Sequence, residues 1–386
     1  MIAEPPAAAL VDAVQVPSAP TPSLHLCILG DAIQYHLRRW SQYFSHHGHK
    51  VDVVTFNPDQ LPNFGEVHVH VVRKRWSGSS LIARALSAVS IAVGLRRYFR
   101  EARPDIVHVF SATWYAILAM VLWRGPFLVT PLGSDVLIEL DESRIKKMLV
   151  GYTLRRASRV HSDGHNVREV LLALGVAPER IIMATYGVDV TRFCPDPATR
   201  RSDTVTVIST RRLDPVHDVD TFIRAIPLIL ERCPETEFRI AGPGSELDRL
   251  RALARALGLA NRVTFLGRIE ESEMVRALQS ADIYVATSLS ESGLAASTAE
   301  AMACEIAVIN TDTGDIRSWI TDGESGVIVP SGRPDVIAAR IIQLVENPAL
   351  RHEFAAKTRQ EIVERNNYHT QMRFMEQVYG SLVGSR

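Results

Sequence analysis

The stretch that decides the fold covers residues 281–310 and reads ADIYVATSLSESGLAASTAEAMACEIAVIN. An apolar run at 283–287 leads into a loop of small residues, then a helical segment, and then a second apolar run at 306–310. Continuous apolar strands joined by helices are typical of parallel sheets that are covered on both faces. The stretch therefore predicts one β-α-β unit of a parallel sheet.

The same alternation extends along the chain in both directions. The runs that predict the other strands lie at 24–29, 51–56, 67–72, 106–110, 127–131, 159–161 and 181–184 in the first half, and at 205–209, 237–241, 262–266 and 327–329 in the second. Between the two sets lies a polar, Pro-containing stretch, 196–204, which predicts a linker. We therefore expect an α/β protein with two doubly wound, Rossmann-like domains, 23–195 and 205–365, that face a central cleft.

The two ends of the chain carry their own patterns. Residues 1–22 are rich in Pro and Ala and predict a flexible tail. They lack the basic start and the continuous apolar run of a signal peptide, so no export is expected. A periodic segment within 366–386 predicts a C-terminal helix that packs back towards the first domain.

The composition excludes several classes of protein. Of 386 residues, 46% are hydrophobic, and 43 Lys and Arg balance 43 Asp and Glu, which excludes a strongly basic nucleic-acid binder and an acidic disordered chain. The balance conceals a split. Residues 1–200 carry 22 basic and 17 acidic side chains, a net of +5, and residues 201–386 carry 21 and 26, a net of −5. We expect the two halves to meet different partners.

The cysteines and the most apolar run indicate a cytoplasmic protein. No zinc ribbon or disulfide scaffold is predicted, because the four cysteines lie far apart, at Cys27, Cys194, Cys233 and Cys304. The run at 112–123 falls short of the roughly 20 residues of a membrane helix and predicts a buried helix. The cluster His46–His49 predicts a helix end with a glycine stop, so no metal site is expected there.

The loop that follows the strand at 283–287 is a candidate anion site. Its small side chains let backbone amides approach a phosphate at the start of a helix, where the helix dipole favours negative charge. Glu300 would then be available to both hydroxyls of a vicinal diol. The alternative is a capping box, with Ser297 as the N-cap and Glu300 folded back onto its amide.

Two further loops of the second half follow strands. Arg212 is a candidate bidentate clamp for a diphosphate, with His217 as another donor, and the alternative is a solvated turn built on Asp214 and Pro215. Gly242 and Gly244 mark a turn after the strand at 237–241. The chain lacks the GxGxxG fingerprint, the P-loop and the GxSxG elbow, which disfavours nicotinamide enzymes, P-loop kinases and serine hydrolases of that type.

In the first half, two loops are expected to face the cleft. They contain Gly30 and Asp31, and Gly133, Ser134 and Asp135. His36 follows on the start of a predicted helix, where the alternative to a functional role is an ordinary satisfied or solvated histidine.

Together these loops resemble the retaining nucleotide-sugar glycosyltransferases of family 4, which have the GT-B fold. The resemblance spans about residues 24–380. It is most specific from Ala281 through Glu300-Ala-Met-Ala-Cys to the segment DGESGVIVP at 322–330. Other markers occur in the family's order, namely Gly187-Val-Asp189 with Arg192-Phe193, Arg212-Leu213, Gly242-Pro-Gly244 and Phe265-Leu-Gly267.

The resemblance implies a role for each candidate residue. The second domain would bind a UDP- or GDP-sugar, with Glu300 on the ribose and Arg212 on the diphosphate. Arg268 and Ile269 would lie by the base. The other donor-binding positions would be Gly242 and Gly244, and, along the phosphates and sugar, Gly293, Leu294, Ala295, Ala296, Ser297 and Thr298. A glycan or lipid-linked acceptor would lie on the first domain, at Gly30, Asp31, His36, Gly133, Ser134, Asp135, Ser162 and Asp163. Transfer would proceed with retention of configuration, without a metal or cofactor.

The sequence departs from the family's pattern in three places. The family's spacing puts its first Glu at Ser292, whereas Glu291 stands one residue earlier. The usual lysine is replaced by His217, a weaker cation at neutral pH because its reference pKa is about 6.5. The histidine expected before the Gly-Ser-Asp loop is absent, since Pro131 and Leu132 stand there. Two alternatives therefore stay open: a catalytically weak GT-B scaffold that binds a nucleotide sugar or glycan, and a nucleotide-sugar epimerase.

The +5 half suggests a further partner. Its basic and aromatic residues at 73–76, 96–100, 144 and 146–147 could draw the first domain to an anionic membrane face or an anionic acceptor. Solvated helix faces explain these residues equally well. We therefore expect a cytoplasmic enzyme with a possible peripheral position at the inner membrane face.

Overall fold

A computed structural model describes residues 22–57, 61–73, 80–199 and 204–384. The chain divides into two compact units, one formed by Met1–Thr185 with Gln371–Arg386 and the other by Tyr186–Thr370. The expected tail, apart from Pro22, lies outside the described residues. The stretch expected to be a linker, 196–204, falls within the second unit, and its residues 200–203 are also outside the description.

The first unit is a doubly wound parallel sheet. Within the described ranges, its seven strands have the order β3-β2-β1-β4-β5-β6-β7, and each neighbouring pair is parallel. The strands are β1 (His25–Gly30), β2 (Lys50–Thr55), β3 (His68–Val71), β4 (Ile106–Phe110), β5 (Phe127–Thr130), β6 (Arg159–Ser162) and β7 (Ile181–Met183). The helices are α1 (Tyr35–His46), α2 (Leu81–Ala102), α3 (Trp114–Leu122), α4 (Ser134–Leu137), α5 (Arg144–Arg156) and α6 (His165–Ala173).

The strand order decides on which face each helix lies. The chain steps from β1 towards β3 in one direction and from β4 towards β7 in the other. Right-handed crossovers then put α1 on one face of the sheet and α2, α3 and α5 on the opposite face. The main core of this unit lies under α2, α3, α5 and α6, where Leu95, Ala119 and Leu154 are buried against the strands.

The second unit repeats the design. Its six strands, counted in the described part, have the order β10-β9-β8-β11-β12-β13, all parallel. They are β8 (Thr206–Ser209), β9 (Glu237–Ala241), β10 (Val263–Gly267), β11 (Ile283–Ala286), β12 (Ala307–Thr311) and β13 (Val327–Val329). The helices are α7 (Val219–Arg232), α8 (Leu247–Ala256), α9 (Glu271–Gln279), α10 (Ala296–Ala303), α11 (Pro334–Glu346) and α12 (Pro348–Arg365).

A last helix, α13 (Tyr368–Gly384), returns the chain to the first unit from Gln371 onwards. Its Tyr379 hydroxyl accepts a hydrogen bond from Trp40 Nε1 at 2.9 Å and lies 2.5 Å from His108 Nδ1. The other ring nitrogen of His108 lies 2.7 Å from the Thr130 hydroxyl. These buried polar contacts fix the end of the helix to α1 and β4, because Trp40 and His108 would each lose a partner if the helix left.

The two predicted parallel α/β domains are confirmed. The first and last residues of every predicted strand differ by no more than one position from those observed. The helix predicted at 112–123 is present but only partly buried. It appears as α3, with Trp114 45% and Val121 54% exposed. The chain there packs one face of α3 on the core, which leaves the opposite face outside. In the described residues, no helix has both the length and the apolar character to span a membrane.

Candidate functional site

The candidate donor site lies where the strand order of the second sheet reverses. From β8 the chain steps to β9 and β10 on one side, and from β11 to β12 and β13 on the other. Ligands of doubly wound sheets bind at the carboxyl ends of the two strands that flank such a switch point. The loop after β8 carries Arg211, Arg212 and His217, and the loop after β11 leads through Glu291 into α10.

Arg211 is the centre of a buried polar cluster at this point. Its side chain is 8% exposed and forms an ion pair with Glu291. Its Nη1 donates to the Ser297 hydroxyl at 2.9 Å, and its Nη2 lies 3.0 Å from Nδ1 of His217. Its Nε is also buried and has no hydrogen-bond partner among the described residues. A buried guanidinium with an unused donor is suited to an anion that supplies the missing acceptor.

His217 contributes no charge to this cluster at neutral pH. Burial is the main cause that lowers the pKa of His217 to about 4, and the positive charge of Arg211 lowers it further. The negative charge of Glu291 raises this pKa, but by less than the other two effects lower it. Its Nδ1 also lies 3.2 Å from the Ser288 hydroxyl. Because Nδ1 accepts from Arg211, the proton of the neutral ring lies on Nε2, which remains a hydrogen-bond donor.

Arg212, the arginine expected at the diphosphate, lies outside the cluster. Its side chain is 61% exposed, and its Nε donates to Asp214 at 2.8 Å. Successive side chains of an extended segment point in opposite directions, so an inward Arg211 places Arg212 outward. The cluster therefore contains Arg211, which the sequence analysis did not single out. Alternation indicates that the two arginines point apart, but not which of them points inward.

Gly242 and Gly244 hold the Arg211 loop in place. A Cβ atom at Gly242 would lie 2.3 Å from the Arg211 carbonyl oxygen, and one at Gly244 would lie 2.2 Å from the Leu213 carbonyl oxygen. The Leu213 amide donates to the Pro243 carbonyl at 2.9 Å. Only glycine permits so close an approach between two loops. These glycines therefore set the backbone from which Arg211 points inward.

The capping-box alternative for α10 is wrong. The helix begins at Ala296 with Ala295 as its N-cap, and no side chain caps it. Ser297 therefore lies within the first turn, where its hydroxyl accepts hydrogen bonds from Arg211 and, at 2.9 Å, from Tyr284. Glu300 follows in the second turn and is half-buried. The N-cap residue, Ala295, therefore accepts no side-chain hydrogen bond from the first backbone amides of α10.

The remaining candidates of this loop are held by β12 and the segment after it. Gly293 adopts a positive φ of 54°, and its carbonyl accepts from the Asp315 amide at 2.9 Å. Thr298 is fully buried, and its hydroxyl donates to Asn310. Ser292, Leu294, Ala295 and Ala296 are half-buried, so they line the loop without entering the core. Of the two candidates for the family's first Glu, Glu291 is the one that contacts Arg211.

Arg268 and Ile269 directly follow β10, which ends at Gly267. They therefore lie at the same carboxyl edge of the sheet as the Arg211 cluster, two strands away from β8. Arg268 is exposed and Ile269 half-buried. This position is open to a ligand that extends along the edge.

In the first unit, the sheet brings its candidate residues to one edge. Gly30 ends β1, the loop Gly133–Asp135 follows β5, and Ser162 and Asp163 lie at the end of β6. The carboxyl ends of parallel strands meet at one edge, so these loops lie along the same edge, with β4 between β1 and β5. Ser162 donates to the Gly164 carbonyl at 2.8 Å, which commits its hydroxyl to the turn before α6.

Two of these residues serve the fold. Asp135 is buried and accepts from the amides of Ala112, at 2.6 Å, and Leu132, at 2.9 Å, which ties together the loops after β4 and β5. Burial raises the pKa of Asp135 to about 6. A Cβ atom at Gly30 would lie 2.7 Å from Leu37. Asp31 and Ser134 are less enclosed and remain accessible at this edge.

His36, on the first turn of α1, is neutral at physiological pH. Burial, reinforced by Arg39, lowers its pKa to about 3. A ring held neutral can donate and accept hydrogen bonds but cannot supply a positive charge. Across the described ranges, no group of three or more His, Cys, Asp or Glu residues is arranged to hold a metal ion.

Comparisons with known proteins identify relatives of both units. The family model for glycosyl transferases group 1 matches residues 195–361, and that for glycosyl transferase 4-like proteins matches residues 25–164. The phosphatidyl-myo-inositol mannosyltransferase of Mycolicibacterium smegmatis is 27% identical over 361 residues, which cover 92% of this chain and 91% of that protein. The D-inositol 3-phosphate glycosyltransferase of Rhodococcus jostii is 34% identical over 199 residues, 47% of this chain and 43% of that protein.

Solved structures share the fold. Anabaena HepE in complex with UDP superimposes with a TM-score of 0.76 at 16% identity, covering 93% of this chain and all of that one. Sucrose-phosphate synthase from Thermosynechococcus elongatus gives 0.76 at 18% identity, covering 94% of this chain and 100% of the other. The two-domain arrangement of parallel sheets is therefore that of the GT-B fold.

Proposed function

We propose that this chain, which belongs to the glycosyl transferases group 1, transfers a sugar to a lipid that carries an inositol phosphate. Members of this family have the GT-B fold and take the sugar from a nucleotide sugar. The protein is a glycosyltransferase. The proposal extends to the residues that hold the donor, the course of the reaction and the class of acceptor. Each rests on different observations.

The observation that carries the donor site is the buried guanidinium of Arg211 at the switch point of the second sheet, whose Nε has no hydrogen-bond partner in the part of the chain that the structure describes. The diphosphate of a UDP- or GDP-sugar supplies acceptors for that donor, and the first amides of α10 lie in the next loop. Glu300 accepts from the ribose hydroxyls, and Arg268 and Ile269 adjoin the base. Arg212 remains at the exposed rim, where it adds a screened charge at most.

The proposed reaction retains configuration and needs no metal. The bond between the sugar's anomeric carbon and the β-phosphate oxygen breaks while the acceptor oxygen bonds to that carbon from the same face. The proton of the acceptor hydroxyl passes to the leaving phosphate. The protein's contribution is to stabilise the negative charge that grows on the diphosphate. Arg211 stabilises it by its positive charge, and the neutral His217 stabilises it by donating a hydrogen bond from Nε2. Glu291 takes the place of the family's first Glu at the sugar.

The proposed acceptor class follows from the relatives. A protein that aligns over nine-tenths of both chains is named a phosphatidyl-myo-inositol mannosyltransferase, and a second relative is named a D-inositol 3-phosphate glycosyltransferase. Both names contain a phosphorylated inositol. We assign this acceptor to the first unit, at the loops of Asp31, Ser134 and Asp163. A lipid acceptor places the protein at a membrane surface, on the cytoplasmic side.

Nucleotide release tests the proposal. The purified chain is incubated with UDP- and GDP-sugars, each with phosphatidylinositol, with soluble inositol phosphate or with neither, in the presence and absence of EDTA. We expect release of one nucleotide that depends on an inositol acceptor and is unchanged by EDTA. Thermal stabilisation by UDP or GDP without release would indicate the catalytically weak scaffold, and conversion of the donor sugar without acceptor would indicate the epimerase.

A further inference from the structure

One nitrogen of Arg211 decides whether a phosphate can bind this residue through two hydrogen bonds. An oxyanion binds a guanidinium bidentately either on the edge formed by Nε and Nη2 or on the edge formed by Nη1 and Nη2. Nη2 belongs to both edges and carries two N–H groups. The structure places Glu291 and, at 3.0 Å, Nδ1 of His217 on this nitrogen. A diphosphate that binds bidentately must therefore displace one of them.

The other side of the guanidinium is anchored. Nη1 donates to the Ser297 hydroxyl at 2.9 Å, and the same hydroxyl accepts from Tyr284 at 2.9 Å. Tyr284 lies on β11 and is fully buried, so it holds Ser297 from within the core. Arg211 is consequently fixed in its loop. A ligand has to meet the guanidinium where it lies, beside Glu291.

The segment after β12 holds the backbone around Glu291. A Cβ atom at Gly314 would lie 2.8 Å from Cβ of Glu291, and the Asp315 amide donates to the Gly293 carbonyl at 2.9 Å. This close approach fixes the point from which the Glu291 side chain starts. The rotamer of the side chain then decides where its carboxylate ends. From one backbone position, the carboxylate can therefore reach different partners.

Displacing Glu291 from Arg211 takes an ion pair from a carboxylate that is mostly buried. Its side chain is 15% exposed, so water replaces the lost partner only in part. His217, whose Nδ1 lies 3.7 Å from the carboxylate, is neutral and does not replace Arg211 as the counter-ion. The hydroxyls of a sugar, by contrast, donate hydrogen bonds to a carboxylate. A nucleotide sugar thus brings a new partner for Glu291, and a bare nucleoside diphosphate does not.

We propose that Glu291 is a specificity-determining residue that weakens the binding of a bare nucleoside diphosphate relative to that of the nucleotide sugar. When the sugar is present, the carboxylate turns from Arg211 to the sugar hydroxyls and a phosphate oxygen takes its place on Nη2. When the sugar has been transferred, carboxylate and phosphate compete for that nitrogen, which favours release of the diphosphate. This role rests on the proposed function, which places the diphosphate on Arg211 and the sugar at Glu291.

Isothermal titration of the full chain with UDP, GDP, UDP-glucose and GDP-mannose, without an acceptor, tests this role. Glu291→Gln should tighten the binding of the diphosphate by at least about tenfold, because a neutral amide competes poorly for a guanidinium. It should not tighten the binding of the nucleotide sugar, which loses its contact with the carboxylate. The matched control, Glu346→Gln, removes the same charge from an exposed ion pair with Arg232 and should change neither affinity.

Glu291 also repels any phosphate nearby, and a double variant separates this repulsion from competition for Arg211. In the Arg211→Gln background, the gain from Glu291→Gln should vanish, because the nitrogen for which the two anions compete is gone. If Glu291→Gln unfolds because Arg211 is left without its counter-ion, Glu291→Asp keeps the charge on a side chain one methylene shorter. That variant should give a smaller gain of the same sign.

Three results would overturn the inference: an unchanged ratio of the two affinities in both Glu291 variants, an equal gain for diphosphate and nucleotide sugar, or a gain that persists in the Arg211→Gln background. Each would leave the transfer itself untouched. The expected shift of the ratio, without any release of nucleotide that depends on an inositol acceptor, would refute the proposed acceptor and leave the role of Glu291 intact.

Discussion

Replacing Arg211 by Gln removes the one buried guanidinium that the described structure places at the switch point of the second sheet. Its side chain is 8% exposed, and its Nε lacks a hydrogen-bond partner in the described residues. A charge-assisted hydrogen bond is worth about 1.5–3 kcal/mol, and about 1.36 kcal/mol is a factor of ten, so Arg211→Gln should weaken the binding of UDP or GDP by about 10- to 150-fold. Coupling to two phosphate oxygens would move the loss towards the upper value.

Isothermal titration with UDP, GDP and the corresponding monophosphates measures this loss. It should be larger for the diphosphate than for the monophosphate, because the proposed contact is with the diphosphate. Arg212→Gln is the matched control. Its guanidinium is 61% exposed, and exposed ion pairs contribute about 0–1 kcal/mol, so the control should lose no more than about fivefold.

Two outcomes would refute the assignment of Arg211. One is a larger loss for Arg212→Gln than for Arg211→Gln, which would restore the arginine first expected from the sequence. The other is an equal loss for nucleoside, monophosphate and diphosphate, which would mean that Arg211 only supports the loop. If Arg211→Gln unfolds because Glu291 is left unpaired, Arg211→Lys keeps the charge without the fork and should give an intermediate affinity.

Two further changes test other parts of the site. Glu300→Gln should weaken binding of the nucleoside about tenfold, since a neutral amide is a poorer acceptor for ribose hydroxyls, and should leave the melting temperature unchanged because Glu300 is not part of a capping box; a lower melting temperature with unaltered binding would contradict this. Stability should fall as the pH is lowered. Burial holds the pKa of His161 and His217 near 4 and that of His36 near 3, below the unfolded value of about 6.5, so the unfolded chain binds more protons and each histidine costs up to about 2 kcal/mol at pH 5. Urea midpoints that do not change between pH 7 and pH 5 would contradict it.

The strands could be predicted to within one residue because buried parallel strands are continuous apolar runs, and this signal is local. The direction of a side chain in a loop is not local. Arg211 points inward because the loop after β8 packs on Gly242 and Gly244, which belong to a loop 30 residues later in the chain. No pattern at positions 211 and 212 alone distinguishes the two arginines. The sequence therefore predicted the loop but not which of its two arginines is buried.

The start of α10 shows the same limit. Ser297 and Glu300 have the spacing of a capping box, but the N-cap is Ala295 rather than Ser297, so the helix begins two residues earlier and Ser297 lies inside its first turn. The hydroxyl of Ser297 is bound instead by Arg211 and Tyr284, which come from β8's loop and from β11. Tertiary partners thus replaced a local cap that the spacing alone favoured.

The proposed function gives the opposite charges of the two halves distinct physical roles. The −5 half must hold an anionic nucleoside diphosphate, which its net charge repels. Exposed charges are screened over about 8 Å at physiological ionic strength, whereas a buried guanidinium acts at contact distance in a medium of lower dielectric constant. On the proposed function, donor capture therefore depends on Arg211 and the amides of α10 rather than on the surface. The +5 half does the reverse, since its basic side chains, among them Arg96, Arg100 and Arg144, are exposed and act by their number. Salt should consequently release the chain from an anionic bilayer well before it releases a bound nucleotide.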